Sequence, residues 1–169
     1  MSSFIQRLDD KPAKEPPRRD SAGGMPWGQS PHVVQQLWFS VIRHEWRSLA
    51  VVPVAPGRAG LEVANALSEV GGIHRRSPLI VFDGLALELR QVTNLLDELA
   101  KETKADERSL VALDSLLTNL SGVPVARAAD KVLLVIELGN ASFAATRKTL
   151  EMVGADKVIG SVVIDGGRP

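Results

Sequence analysis

Neither cysteine nor tyrosine occurs among the 169 residues. The first absence excludes disulfides, thiolate nucleophiles and thiolate zinc sites, and fits a reducing or an oxidising compartment equally. The second closes any scheme in which the chain phosphorylates its own tyrosines. An excess of charge is missing too: 20 basic side chains balance 20 acidic ones, which removes the electrostatic basis for non-specific nucleic-acid binding. No run approaches the roughly 20 apolar residues of a membrane span, and residues 1–30 lack the apolar core of a secretory signal. A cytoplasmic protein is therefore expected. No internal repeat is visible, and the length suits one domain with a core of its own.

Residues 9–31 combine prolines, glycines and charges with little to bury, so the cost of ordering them goes uncompensated. Residues 1–30 are accordingly expected to be a flexible leader and residues 31–169 the folded domain. Within the leader, Phe4, Ile5 and Leu8 have the spacing of one side of a helical turn that folds on a partner. Trp27 stands among small residues as a second partner anchor.

From Ser30 onward the pattern becomes regular. Ser30-Pro31 supplies a cap and a proline at the first helical position, and Val34, Leu37, Trp38, Val41 and Ile42 recur at helical spacing. Residues 49–54 read as a buried strand, followed by a turn and a helix over 60–70 that ends at Gly71-Gly72. Residues 77–83 form a second strand, and Leu85, Leu89, Val92, Leu96 and Leu99 a helix to about residue 103. Residues 108–114 and 131–138 are the third and fourth strands. Asn140 is expected to cap a helix with Phe143, Leu150 and Val153 inward and Gly154 at its end, before a last strand at 157–164. Strands apolar on both faces and alternating with helices predict an α/β fold, a mostly parallel sheet covered by helices on both faces.

The order of these segments resembles the deviant P-loop ATPases of the MinD and ParA type, and more closely the cytoplasmic domain of bacterial tyrosine kinases of polysaccharide export. The best part of the resemblance runs from Leu110 to Val163, with Asp114, Ala129-Asp130, Gly139 and Gly160 where the family pattern has them. It implies a P-loop-like, Rossmann-like fold. The family's phosphate loop resembles PGxGK[ST][ST], whose glycines let backbone N–H groups approach the phosphates while lysine neutralises their charge. Here that place is filled by Pro56, Gly57, Arg58, Ala59, Gly60, Leu61 and Glu62. Gly60 stands at the lysine and Leu61 at the magnesium-binding hydroxyl. Losing both contacts costs about 3–6 kcal/mol, enough to turn a micromolar site into a millimolar one. A Gly60→Lys, Leu61→Ser double change is the substitution that would rebuild the motif.

Two acidic positions remain, Asp83 and Asp114, at the ends of successive strands. They suit either a metal at the carboxyl edge of the sheet or the capping of nearby loops. Arg58 is the nearby cation. His32, Gln35 and Trp38 occupy the positions of the family's ExxRxxR ring-forming pattern, which puts ring assembly in doubt. His32, His44 and His74 have no spacing that suggests a triad or metal cluster. The Gly57–Gly60 segment lacks the GxGxxG spacing of a dinucleotide fingerprint. The resemblance thus implies a catalytically inactive, kinase-like accessory protein, without cofactor or metal. Its expected partner is a membrane-embedded polysaccharide export or polymerisation component at the inner face of the membrane. A MinD/ParA-like positioning role and an unusual hydrolase using Arg58, Asp83 and Asp114 are the alternatives.

Overall fold

A computed structural model describes residues 4–7, 30–75, 79–101 and 106–166. Six strands form one parallel sheet, β1 (Phe4–Arg7), β2 (Ser48–Pro53), β3 (Leu79–Gly84), β4 (Arg108–Leu113), β5 (Lys131–Leu138) and β6 (Val158–Asp165), in the order β1-β3-β4-β2-β5-β6. The helices between them are α1 (Pro31–Ile42), α2 (Ala59–Arg75), α3 (Leu89–Ala100), α4 (Gly122–Ala128) and α5 (Phe143–Val153). From β2 the chain crosses to β3 through α2, then reverses and runs β4, β5, β6. Right-handed crossovers therefore put α2 on one face and α3, α4 and α5 on the other. The architecture is the α/β sheet with two helical layers that the alternating pattern predicts.

The two cores follow from the period of two along each strand. Leu49 and Val51 of β2 face α1 and α2 together with Val63, Leu67, Val81, Leu110 and Leu133. Ala50 and Val52 face the other way, with Val92, Leu95, Val111, Leu116, Val125 and Val132. Every residue of β2 is buried, as a strand flanked by β4 and β5 and covered on both faces must be.

The helix ends depart from expectation in instructive ways. Helix α1 starts at Pro31 as predicted; Ser30 is extended and makes no side-chain cap, but its carbonyl accepts from the amides of Val33 and Val34 at 3.0 and 3.4 Å. Val34, Trp38 and Val41 form its buried stripe, and the Trp46 indole N–H donates to the Val41 carbonyl at 3.1 Å. Helix α2 does not stop at Gly71-Gly72 but continues to Arg75. Gly71 is a packing glycine. A Cβ there would lie 2.2 Å from Leu79 Cδ1 and 2.7 Å from Trp38 Cη2, so the absent side chain lets the helix touch the Trp38 ring. Helix α3 begins only at Leu89, closed by a capping box in which Glu88 N–H donates to Gln91 Oε1 at 2.9 Å. Ser142, not Asn140, caps α5, its Oγ accepting from the Ala145 amide at 3.1 Å, and Gly154 ends the helix at φ 91°. Phe143, expected inward, is the first residue of α5 and is 86% exposed. The short α4 had no counterpart in the sequence reading.

Phe4–Arg7 is also corrected. These residues form a strand that pairs in parallel with Ile80–Asp83, not a helical turn. Leu8 and Trp27 lie outside the described residues.

Adjacent glycines in α2 give a paired test. Gly71→Ala forces a methyl against Trp38 and should lower stability by about 1–3 kcal/mol. Gly72→Ala, whose Cβ meets nothing within 4 Å, should raise it by about 0.5–1 kcal/mol through helix propensity. Urea denaturation of the two variants measures both.

Candidate functional site

In a parallel sheet, ligands gather beyond the carboxyl ends of the strands where the strand order reverses. Here that point flanks β2, between the loops that follow β2 and β4, and the structure brings most of the sequence-derived candidates there. Pro56, Gly57 and Arg58 form the exposed tip of the β2–α2 loop, while Ala59, Gly60 and Leu61 are buried in the first turn of α2. Glu62, half-buried, donates its amide to the Arg58 carbonyl at 3.0 Å. Gly57 has φ 141°, a conformation that favours glycine and turns the loop toward the end of β4.

What the loop binds is the protein's own carboxylate. Asp114 Oδ1 accepts from the Gly57 amide at 3.3 Å and from the Ser115 amide at 2.7 Å. The buried Ser115 hydroxyl donates to the Val54 carbonyl at 2.9 Å, so the loops after β2 and β4 are tied together at two points. A phosphate loop directs its amides at an external anion. In this loop the Gly57 amide already faces an internal one, and the carboxylate of Glu62 adds a second negative charge in the first turn of α2.

Gly60 decides what this helix start can hold. A Cβ there would lie 2.8 Å from the Leu113 carbonyl oxygen, 2.9 Å from Pro53 Cδ and 3.2 Å from the Val51 carbonyl oxygen. Two of these three neighbours are main-chain atoms that cannot step aside. The lysine that would rebuild the motif has no room, and Leu61, at the position of the metal-binding hydroxyl, belongs to the core beneath α1 and α2. A Gly60→Lys, Leu61→Ser change would therefore have to displace these carbonyls before it rebuilt the motif.

Asp83 is the penultimate residue of β3 and lies two residues short of Asp114 in register, since it pairs with Ala112. Its Oδ1 accepts from the Leu85 amide at 3.2 Å, an aspartate turn closing its own loop. Both residual acids thus serve main-chain amides, and among the described residues no group of three or more His, Asp or Glu is placed to hold a metal. The histidines stay apart on the surface: His32 bonds Gln36 at 3.1 Å, and His74 lies against the Phe39 ring at 5.0 Å. Of the three positions aligned with the ring-forming pattern, Trp38 is buried in the core and cannot present its ring to a neighbour.

The opposite edge of the sheet holds features that motif reading passed over. Asp130 Oδ2 accepts from the amides of Arg47 and Ser48 at 2.7 and 3.0 Å, and the Asp130 amide donates to Ser48 Oγ at 3.0 Å. This clamp joins the starts of β2 and β5. Beside it a cavity of about 540 Å³ is lined by Trp46, Arg47, Arg75, Asp106, Arg108 and Asp130, among others. The Arg108 guanidinium lies 4.7 Å above the Trp46 ring. Burial, then the neighbouring charge of Arg75, holds the Arg108 pKa below its ordinary value, with Asp106 opposing. The aspartate of the family-like "Ala129-Asp130" pair was the only signal for this edge in the sequence.

No protein-family model matches the chain, and no curated protein matches it.

Two substitutions test this geometry. Gly60→Ala should destabilise the fold by about 1–3 kcal/mol, because the added methyl meets carbonyls and not a yielding side chain. Asp130→Ala leaves two amides at the strand starts without their charged acceptor and should lower stability by about 2–4 kcal/mol. Chemical denaturation reads both.

Proposed function

We propose that this chain is a non-catalytic, P-loop-like domain that acts by binding a protein partner, as an accessory of bacterial polysaccharide synthesis and export. The observation that carries the first half is the packing of Gly60 against the carbonyls of Leu113 and Val51, which leaves no space for a phosphate-binding lysine. The occupied Gly57 amide and the buried Leu61 support it further, because the backbone donor and the hydroxyl of a working site are both missing from their roles. The hydrolase alternative loses its two carboxylates to the loop amides of Gly57, Ser115 and Leu85.

The second half rests on the family-like course from Leu110 to Val163 and on sequence resemblance, which fixes function less tightly than a site does. It names as partner a membrane-embedded export or polymerisation component. No helix among the described residues is long and apolar enough to cross a membrane, so the domain itself would reach the bilayer through that partner. Phe4, Ile5, Leu8 and Trp27 remain the proposed leader contacts, with Phe4 and Ile5 carried on the edge strand β1.

Calorimetry with ATP and magnesium should give a dissociation constant no tighter than about millimolar. A low-micromolar constant, or phosphate release that disappears in Asp114→Ala, would establish an active nucleotide enzyme instead. Affinity capture from the cells that express this chain, read by mass spectrometry, tests the partner: recovery of export components supports this assignment, and recovery of division or chromosome-positioning proteins redirects it to the MinD/ParA-like role.

A further inference from the structure

The amino ends of β2, β4 and β5 lie at the far end of the strands from Gly57 and Gly60, and two arginines meet there. Arg75 is the last residue of α2 and Arg108 the first of β4, and both line the cavity of about 540 Å³ beside Trp46. Arg75 Nη2 donates to the Asp106 carbonyl at 3.1 Å and to its carboxylate at 3.4 Å. That carboxylate is 84% exposed, so water screens it and it neutralises Arg75 weakly. Among the described residues Arg108 makes no hydrogen bond or ion pair, and its guanidinium rests on the Trp46 ring. One nitrogen of each guanidinium, Nη1, is shut off from solvent and has no acceptor. Burial, then the charge of Arg75, lowers the Arg108 pKa, so the two cations stand near enough to repel each other. Each has given up hydration without gaining a full counter-charge, an arrangement that a negative group in the cavity would relieve for both at once.

We propose that this cavity binds a small molecule through its carboxylate, held by the guanidinium groups of Arg75 and Arg108. A planar carboxylate offers two oxygens to the forked N–H donors, and its single charge is the counter-ion that the pair lacks. The acids of the cavity narrow the choice. Glu45, Asp106 and Glu107 also line it, whereas the Asp130 carboxylate is occupied by the amides of Arg47 and Ser48. Those three repel a phosphate dianion about twice as strongly as a monoanion, so a carboxylate suits the site better. Trp46 is 5% exposed and carries Arg108 on its ring, so it holds the guanidinium in place and offers the ligand no face to stack on. The volume exceeds that of a carboxyl group and lies within the range of small-molecule sites, which leaves room for the rest of a metabolite-sized ligand.

This inference is independent of the proposed function, because the cavity lies at the opposite end of the strands and involves neither nucleotide nor partner protein. The probe is sodium acetate, added to the full chain at an ionic strength held constant with sodium chloride and read from the indole N–H signals in proton–nitrogen NMR spectra. The Trp46 signal, assigned by its loss in Trp46→Phe, should shift saturably with a dissociation constant of about 1–10 mM, as suits so small a ligand. The signal of Trp38, buried in the core, should stay in place. Inorganic phosphate, titrated above neutral pH as the dianion, should bind at least about threefold more weakly. Arg108→Gln and Arg75→Gln should each weaken acetate binding at least about tenfold, and an unmoved Trp38 signal shows that each variant is folded. Arg108→Lys, which keeps the charge without the planar fork, should recover part of the loss. A Trp46 signal that moves only in proportion to the acetate added overturns the proposal, as does binding indifferent to both glutamine variants. Phosphate binding more tightly than acetate overturns the assignment to a carboxylate.

Discussion

The first turn of α2 lies directly on the sheet, and that closeness governs the region where a ligand would be sought. Gly60 brings the helix backbone within reach of the carbonyls of Leu113 and Val51, so β2 and β4 are pressed against the helix start. The loop between β2 and α2 must then turn within a few residues, which is why Gly57 takes a positive φ and why its amide falls on Asp114. About three helical turns later, Gly71 lets the same helix touch Trp38 and Leu79. Two missing side chains thus fix the height of α2 over the sheet at both ends. A helix seated this low has no volume beneath its N-terminus for a long cationic side chain.

The sheet's two edges along the strand axis are each closed by an aspartate. Asp114 draws together the loops after β2 and β4, and Asp130 draws together the starts of β2 and β5. Both carboxylates accept two main-chain N–H groups, an arrangement that is strong because the acceptor is ionised and the donors are held by the sheet. Each lies where the resemblance has an acidic residue. Acidic positions that could mark nucleotide chemistry serve here as fasteners of the backbone.

The sheet was largely legible because its signal is redundant. Lys131–Leu138 is an apolar run bracketed by Asp130 and Gly139, and its observed limits coincide with that bracket. Helix α1 is announced by Pro31 and by a buried stripe. What failed were single-residue signals that tertiary packing overrides. Gly71-Gly72 has the look of a helix stop, yet Gly71 is there for Trp38, and the contact across the chain outweighs the local cost of glycine within a helix. Asn140 and Ser142 are equally good caps in isolation, and the choice rests on where β5 delivers the chain. Phe4 and Ile5 suit a helical turn or a strand equally well, and pairing with β3, invisible to local periodicity, decides. Within the site, the substitutions at Gly60 and Leu61 were readable as losses. Their steric consequence was not, because the carbonyls that confront Gly60 come from two strands remote in sequence.

The two sides of the sheet are unlike. At one, β1 gives β3 a neighbour, so Leu79–Gly84 is paired on both flanks, which agrees with a strand whose residues are buried or half-buried throughout. At the other, β6 has β5 as its one neighbour among the described residues. At the switch point of the sheet the Gly57 amide is taken by Asp114, and Gly60 is packed against main-chain carbonyls. Among the described residues the outer flank of β6 has no strand beside it, which leaves a row of main-chain donors and acceptors along it. Hydrogen-bond geometry along such a flank specifies direction and register, whereas the exposed rings of Phe39 and Phe143 specify neither. The side of the sheet bounded by β6 is therefore defined in direction and register, as the exposed apolar residues on the helices are not.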